Sequence, residues 1–236
     1  MAENKDFCQE ILQVILNNKE LVVLSTNSQF STKNLQGRSC MLDAKCQLED
    51  GRIVNIEVQR ADDDDHQRRV RYNGALLTTN LTNPSTKFAE IPDVIVVFIS
   101  KFDVFKSSKT LYHIDRVIRE TGKAVDNGFE EIYVNAEIDD DSDVARLMNV
   151  FNTDTAYDDD KFPVTSAYKR RYKTTEEGVR EMCEVIERNR AEGRAEGRAK
   201  LIINMLKNHM KPEHIAKIAN MTVEQIISIG KKAAVL

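Results

Sequence analysis

Nowhere does this chain approach the ~20 consecutive apolar residues that a membrane-crossing helix requires, and its acidic N-terminus carries no signal-peptide pattern. The expectation is a cytoplasmic protein without membrane attachment. Cysteine is sparse: Cys8, Cys40, Cys46 and Cys183 are scattered and include no Cys-x-x-Cys pair. That scatter argues against a disulfide framework or zinc ligands and for free thiols, with Cys40 and Cys46 as packing residues of a strand. Positive charge is not in excess either, since 34 Lys and Arg face 38 Asp and Glu, a formal net charge of −4. A uniformly basic nucleic-acid binder is thereby excluded, because affinity for DNA draws heavily on phosphate neutralisation. Any such binding must come from local patches, of which two stand out: Arg60, Arg68, Arg69 and Arg71, and Lys169-Arg170-Arg171 interleaved with Tyr168 and Tyr172. Either is also readable as a solvated helix face.

What is present is enough for a buried core: 236 residues, 41% of them hydrophobic. The residues with the most chemistry lie in 41–59, two strand-like runs around an Asp50-Gly51 turn, a strong hairpin signal. Side chains alternate along a strand, so Asn55, Glu57 and Gln59 share one face while Ile56 and Val58 share the other. Pairing in register brings Asp43 towards Glu57. Two carboxylates that close repel unless a cation sits between them, and hard divalent ions take such oxygen ligands.

Asp43, a hairpin spacer and then Glu57-x-Gln59 resemble the PD-(D/E)XK nuclease superfamily. More narrowly, Gly51 to Gln59 followed by His66-x-x-Arg69-x-x-Tyr72 is similar to its recombination-promoting nuclease and transposase-type group. The resemblance implies an α/β, restriction-endonuclease-like central mixed β-sheet flanked by helices. It further implies a Mg²⁺-dependent DNA endonuclease, with Mn²⁺ as a substitute ion, in which Asp43, Glu57 and the Val58 carbonyl hold the metal. Gln59 then stands in the usual lysine position, where it offers a neutral hydrogen bond in place of a charge. The parent Pro-Asp doublet is absent, since Leu42 precedes Asp43. An N-terminal helix of such proteins supplies another acid, for which Glu10 is the first candidate and Glu20 the second. The chain also begins closer to that helix than the resemblance leads one to expect. Arg69 and Tyr72, three apart on one helical face, are expected to contact a scissile phosphate, to buttress Glu57, or simply to pack. Arg68 belongs to the same basic cluster, and His66 is read as substrate-orienting or structural ahead of general base.

Periodicity predicts a first helix over 5–24 and a second over 66–81 that begins after the solvated run Asp62 to Asp65. A buried strand follows at 93–99, further strands at 110–116 and 129–135, and a short helix at 144–152. Residues 1–172 form the nuclease-like domain on this reading, and 173–236 a C-terminal helical extension. The extension begins with a long helix over 176–207 that contains the glycine-bearing repeat of residues 190–198, expected to serve as a linker or as a homodimer seam. It ends in three short amphipathic segments, like a helix-turn-helix unit with Thr222 opening a recognition helix over 223–232. A protein-interaction bundle has the same apolar spacing. Two functions follow from different classes: the endonuclease, and a catalytically weak or inactive nuclease-fold protein that regulates by binding DNA or a partner.

Overall fold

The computed structural model describes residues 4–32, 40–176, 194–195, 197–233 and 235. The chain divides into two compact units, Met1–Lys169 and Arg170–Leu236.

In the first unit, helix α1 (Lys5–Ile15) starts at Asn4, whose side chain accepts the Phe7 N–H at 3.0 Å. Phe7, Cys8, Ile11, Leu12 and Ile15 recur at helical spacing and are buried. The helix expected over 5–24 stops there, because Asn17 takes a left-handed backbone (φ 47°) and the chain then runs into strand β1 (Val23–Thr32). That strand was not anticipated: its residues hydrogen-bond to a partner that lies beyond a segment of sequence and so leaves no local signal.

Strands β2 (Cys40–Leu48) and β3 (Ile53–Gln59) form the expected hairpin, with Gly51 at φ 93° where a side chain would be strained. Helix α2 (His66–Leu81) leads to β4 (Val94–Ser100), and β5 (Leu111–Ile114), β6 (Arg116–Val117), β7 (Ala124–Val125) and β8 (Phe129–Asn135) complete the strands. The six-stranded sheet runs β1-β2-β3-β4-β8-β5, parallel at β3–β4 and β4–β8 and antiparallel elsewhere, with β6 and β7 as a separate ribbon. Helices α1 and α3 (Asp143–Asn152) cover one face, burying Leu12, Ile15, Leu147 and Met148 against Val54, Ile56, Val97 and Val134. Helix α2 covers the other, with Val70 and Leu77 against Val94, Val96 and Phe98. Its close approach depends on Gly74, where a Cβ would meet the Phe129 ring within 2.2 Å. Burial on both faces explains why β4 reads as an uninterrupted apolar run.

Cys8 and Cys46 are buried free thiols in this core. Cys183 lies outside the described residues, as do the side chain of Cys40, most of the glycine repeat and most of the expected long helix. Of helix α4 (Pro163–Thr174), only the stretch around Lys169-Arg170-Arg171 has a helix-face reading from the sequence. Within it, Lys169 directs its ammonium at the carbonyls of Val150, Thr153 and Ala156 (2.6, 2.5 and 2.7 Å) at the end of α3, which diverts it from the second basic patch.

In the second unit, residues 197–207 are helical (α5) and are followed by α6 (Pro212–Ala219) and α7 (Val223–Lys232). Ile202, Leu206, Ile215, Ala216 and Ile226 form a core of their own.

Candidate active site

The ladder between β2 and β3 pairs Ala44 with Ile56 and Cys46 with Val54, so one further step places Asp43 opposite Glu57. The alternation of faces breaks at that step. Leu42 is buried on the α2 side of the sheet, yet Ala44, two residues on, is buried on the α1 side. Gln29, which the β1 register sets across from Asp43, has φ 48°. A local kink of this kind re-aims a side chain. The exposed Asp43 carboxylate consequently accepts the Val58 N–H at 2.7 Å and faces a cavity of about 310 Å³ shared with Val58, Gln59, Arg60 and Lys101.

Glu57 does not line that cavity: it is only 1% exposed and lies on the face of β3 that α2 covers, beside Arg69. Its Oε1 accepts from Asn55 Nδ2 at 3.0 Å, whereas Oε2 is buried without a hydrogen-bond partner and lies 3.5 Å from Arg69 Nη2. Burial, reinforced by the charge of Asp43, pushes the Glu57 carboxyl up to about 7, against the pull of Asn55, Arg69 and Asn73. Desolvation also raises Asp43, opposed by the Val58 N–H and by Arg69. The charge of Asp43 acts on Glu57, but Glu57 is beneath the surface and Asp43 is at it.

The raised value has a consequence for stability. A buried acid holds its proton more tightly in the folded state, so its penalty is absent below the ordinary value of 4.5 and fully felt once pH has risen through about 7. At about 1.4 kcal/mol per pKa unit the penalty comes to about 3 kcal/mol. In EDTA, Glu57→Gln is expected to match the parent in denaturant unfolding below pH 4.5 and to exceed it by about this amount at pH 8.

Gln59 is held on three sides. Its amide donates to Ala61 O (3.0 Å) and Asp63 Oδ1 (3.2 Å), and its Oε1 accepts from Arg69 Nη1 at 3.2 Å. Arg69 thus touches both members of the Glu-x-Gln strand. Arg68 turns away to pair with Asp65, its side chain 78% exposed. Tyr72 is half-buried on the helix that carries Arg69. His66 is almost fully buried between Phe98 and Phe102, with Nε2 3.2 Å from Asp62 Oδ1 and Nδ1 without a partner.

Glu10 has its partners in α4. Its two oxygens accept the N–H groups of Val164 and Thr165 (3.1 and 2.7 Å) and cap the first turn of α4, where Pro163 brings no cap of its own. The charges acting on Glu57 are those of Asp43 and Arg69. Glu10→Ala is accordingly expected to cost about 1–2 kcal/mol of stability in denaturant unfolding while leaving the cleavage rate of the folded protein within about threefold. A large loss of cleavage at unchanged stability would place Glu10 in the catalytic set instead.

Three contributors escaped the sequence reading: Asn73 on α2, Lys101 at the end of β4, and Asn55 as a direct partner of Glu57. Only Asn55 had a visible signal, its position two residues before Glu57 on the same strand face.

The donor set fits a hard cation in part: Glu57 Oε2 is buried without a hydrogen bond and its carboxyl feels the charge of Asp43, while Arg69 Nη2 already lies 3.5 Å from it. Among the described residues no group of three or more His, Cys, Asp or Glu side chains is arranged for a metal, so a backbone carbonyl and water would have to complete the shell. No described helix is long and apolar enough to cross a membrane. A family model described as PD-(D/E)XK nuclease family transposase matches residues 1–145. Comparisons with curated proteins and with solved structures find no match.

Proposed function

Because the chain belongs to the PD-(D/E)XK nuclease family of transposases, with the α/β restriction-endonuclease-like fold, we propose that it is a DNA endonuclease that hydrolyses phosphodiester bonds with the aid of a divalent cation. The observation that supports this reading is a buried Glu57 Oε2 without a hydrogen bond, on a carboxyl that feels the charge of Asp43. Asp43, Glu57 and the Val58 carbonyl would hold Mg²⁺, with Mn²⁺ as a substitute. When bound, the ion would lower the pKa of a water and polarise the phosphoryl oxygen.

The chain's own residues do the rest. Asn55 fixes Glu57 Oε1, so that Oε2 is the oxygen left to face the cation. Gln59 spends its two amide N–H groups on Ala61 and Asp63, so only its Oε1, which also accepts from Arg69, is left to act where a lysine would bring charge. Arg69 supplies that charge from α2 through its contacts with both Gln59 and Glu57. Arg60 and Lys101, which line the cavity with Asp43, receive the negatively charged backbone of the substrate. Tyr72 and His66 act at one remove, the first from the Arg69 helix and the second by anchoring the start of α2.

One observation favours the second reading, a nuclease-fold protein that binds DNA or a partner without cutting: a guanidinium already stands beside Glu57 Oε2, where it partly satisfies the carboxylate. Incubation of supercoiled plasmid with the protein in Mg²⁺, Mn²⁺ and EDTA separates the two. Nicked or linear product in either metal and none in EDTA is the expected result, and retarded but intact plasmid under all three conditions selects the second reading.

A further inference from the structure

The second unit bears a charge opposite to that of the whole chain. Residues 197–236 hold six Lys and one Arg against two Glu, in a protein of formal net charge −4. Arg198, Lys200, Lys207, Lys211, Lys217, Lys231 and Lys232 are all exposed, and among the described residues none of them forms an ion pair with an acid. Seven solvated cations on so short a segment form a local patch of the kind that phosphate binding requires.

The geometry gives the patch a direction. Helix α6 ends at Asn220, whose left-handed backbone (φ 50°) turns the chain, and α7 starts immediately after Thr222. The connection is therefore three residues, the length of a helix-turn-helix joint. Thr222 and Gln225 close a reciprocal capping box, Gln225 N to Thr222 Oγ1 at 3.3 Å and Thr222 N to Gln225 Oε1 at 2.9 Å. These two side chains are thus committed to starting the helix. Ile226 and Gly230 turn inwards, while Glu224, Ser228, Lys231 and Lys232 are exposed at the i, i+4, i+7, i+8 spacing of one face.

We propose that residues 197–233 form a second DNA-binding element, separate from the catalytic pair, of helix-turn-helix type. Ser228 and the N-terminal part of α7 face the groove of duplex DNA, and Lys217, Lys231 and Lys232 neutralise phosphates. The element brings phosphate-neutralising charge to a chain whose first unit is acidic in sequence, which accounts for basic residues being concentrated here. It does not depend on whether the first unit cuts DNA.

Fluorescence anisotropy of a labelled 30-base-pair duplex with the full chain, in EDTA and over a range of NaCl, tests it. The parent is expected to bind with an affinity that falls steeply with salt. Lys217→Gln/Lys231→Gln/Lys232→Gln should bind at least about tenfold more weakly near 0.1 M salt and lose roughly 2–3 units of the salt slope, about one per phosphate contact. The triple arginine variant, which keeps the charge, should bind like the parent, and circular dichroism should be the same for all three. Ser228→Glu should weaken binding by itself. If the glutamine variant binds within twofold of the parent at an unchanged slope, or if the parent binds no duplex in EDTA, the proposal fails. A shift in the mass of the glutamine variant by light scattering without a change in DNA affinity would likewise overturn it and assign this face to a second copy of the chain.

Discussion

Glu57→Gln and Asp43→Asn are each expected to abolish divalent-cation-dependent cleavage of plasmid DNA, with a loss of about 10³-fold or more, the equivalent of the several kcal/mol that a bound metal supplies. Both substitutions keep the shape of the side chain and remove the charge. In Glu57→Gln the amide still meets Asn55, and the oxygen that lacked a partner in the parent is replaced or becomes part of a neutral group. Loss of activity should therefore come without loss of the fold. Stability makes the distinction sharp: Glu57→Gln should be inactive and yet, in EDTA at pH 8, more resistant to denaturant than the parent, because a carboxyl pushed up to about 7 by burial is no longer there to be ionised. Asp43, which is exposed, should change stability much less. Tb³⁺ luminescence offers a readout independent of turnover, and both variants should show weakened ion binding. If the two cleave like the parent, the catalytic assignment is lost whatever the family.

The second large effect concerns the missing lysine. Arg69→Met should lower the cleavage rate by about 10²-fold, the scale found when one preorganised electrostatic contact to a transition state is removed. A merely structural role for Arg69 would predict the same loss, so the informative protein is the double variant. Gln59→Lys in the Arg69→Met background returns a cation to the position that the family pattern gives to lysine, and should recover at least about tenfold of the lost rate. Arg69→Lys, which keeps charge but cannot reach Gln59 and Glu57 together in a planar fork, should fall between the parent and Arg69→Met. The contacts behind this expectation are Arg69 Nη1 to Gln59 Oε1 at 3.2 Å and Nη2 to Glu57 Oε2 at 3.5 Å. Failure of Gln59→Lys to restore anything would show that Arg69 does not stand in for the lysine, while leaving the roles of Asp43 and Glu57 intact.

Where signals were local, the residues themselves carried the structure. The Asp50-Gly51 turn, the β-branched run of β4 and the periodic apolar positions of α2 and α3 each satisfy their own backbone geometry within a few residues. They are visible for that reason. Helix α1 was overextended because Leu21 and Leu24 continue a helical spacing that Asn17 interrupts, and β1 went unseen because its hydrogen-bond partner is β2. Helix α4 depends on Glu10, more than 150 positions earlier, for its first-turn partners, and no window along the sequence spans that distance.

The sequence by itself determined the hairpin, the spacing that brings Asp43 opposite Glu57, and the family to which the chain belongs, because all three reside in one continuous segment of strand-turn-strand. Tertiary structure alone decided which carboxylate is buried, which oxygen is left without a partner, and which cation stands beside Gln59. Those depend on α2 pressing Asn73 and Arg69 against β3 from the far face of the sheet, and on a kink at Asp43 that breaks the alternation of faces. Burial and charge at a site are sums over neighbours distant in sequence, and they exist only once the layers have closed.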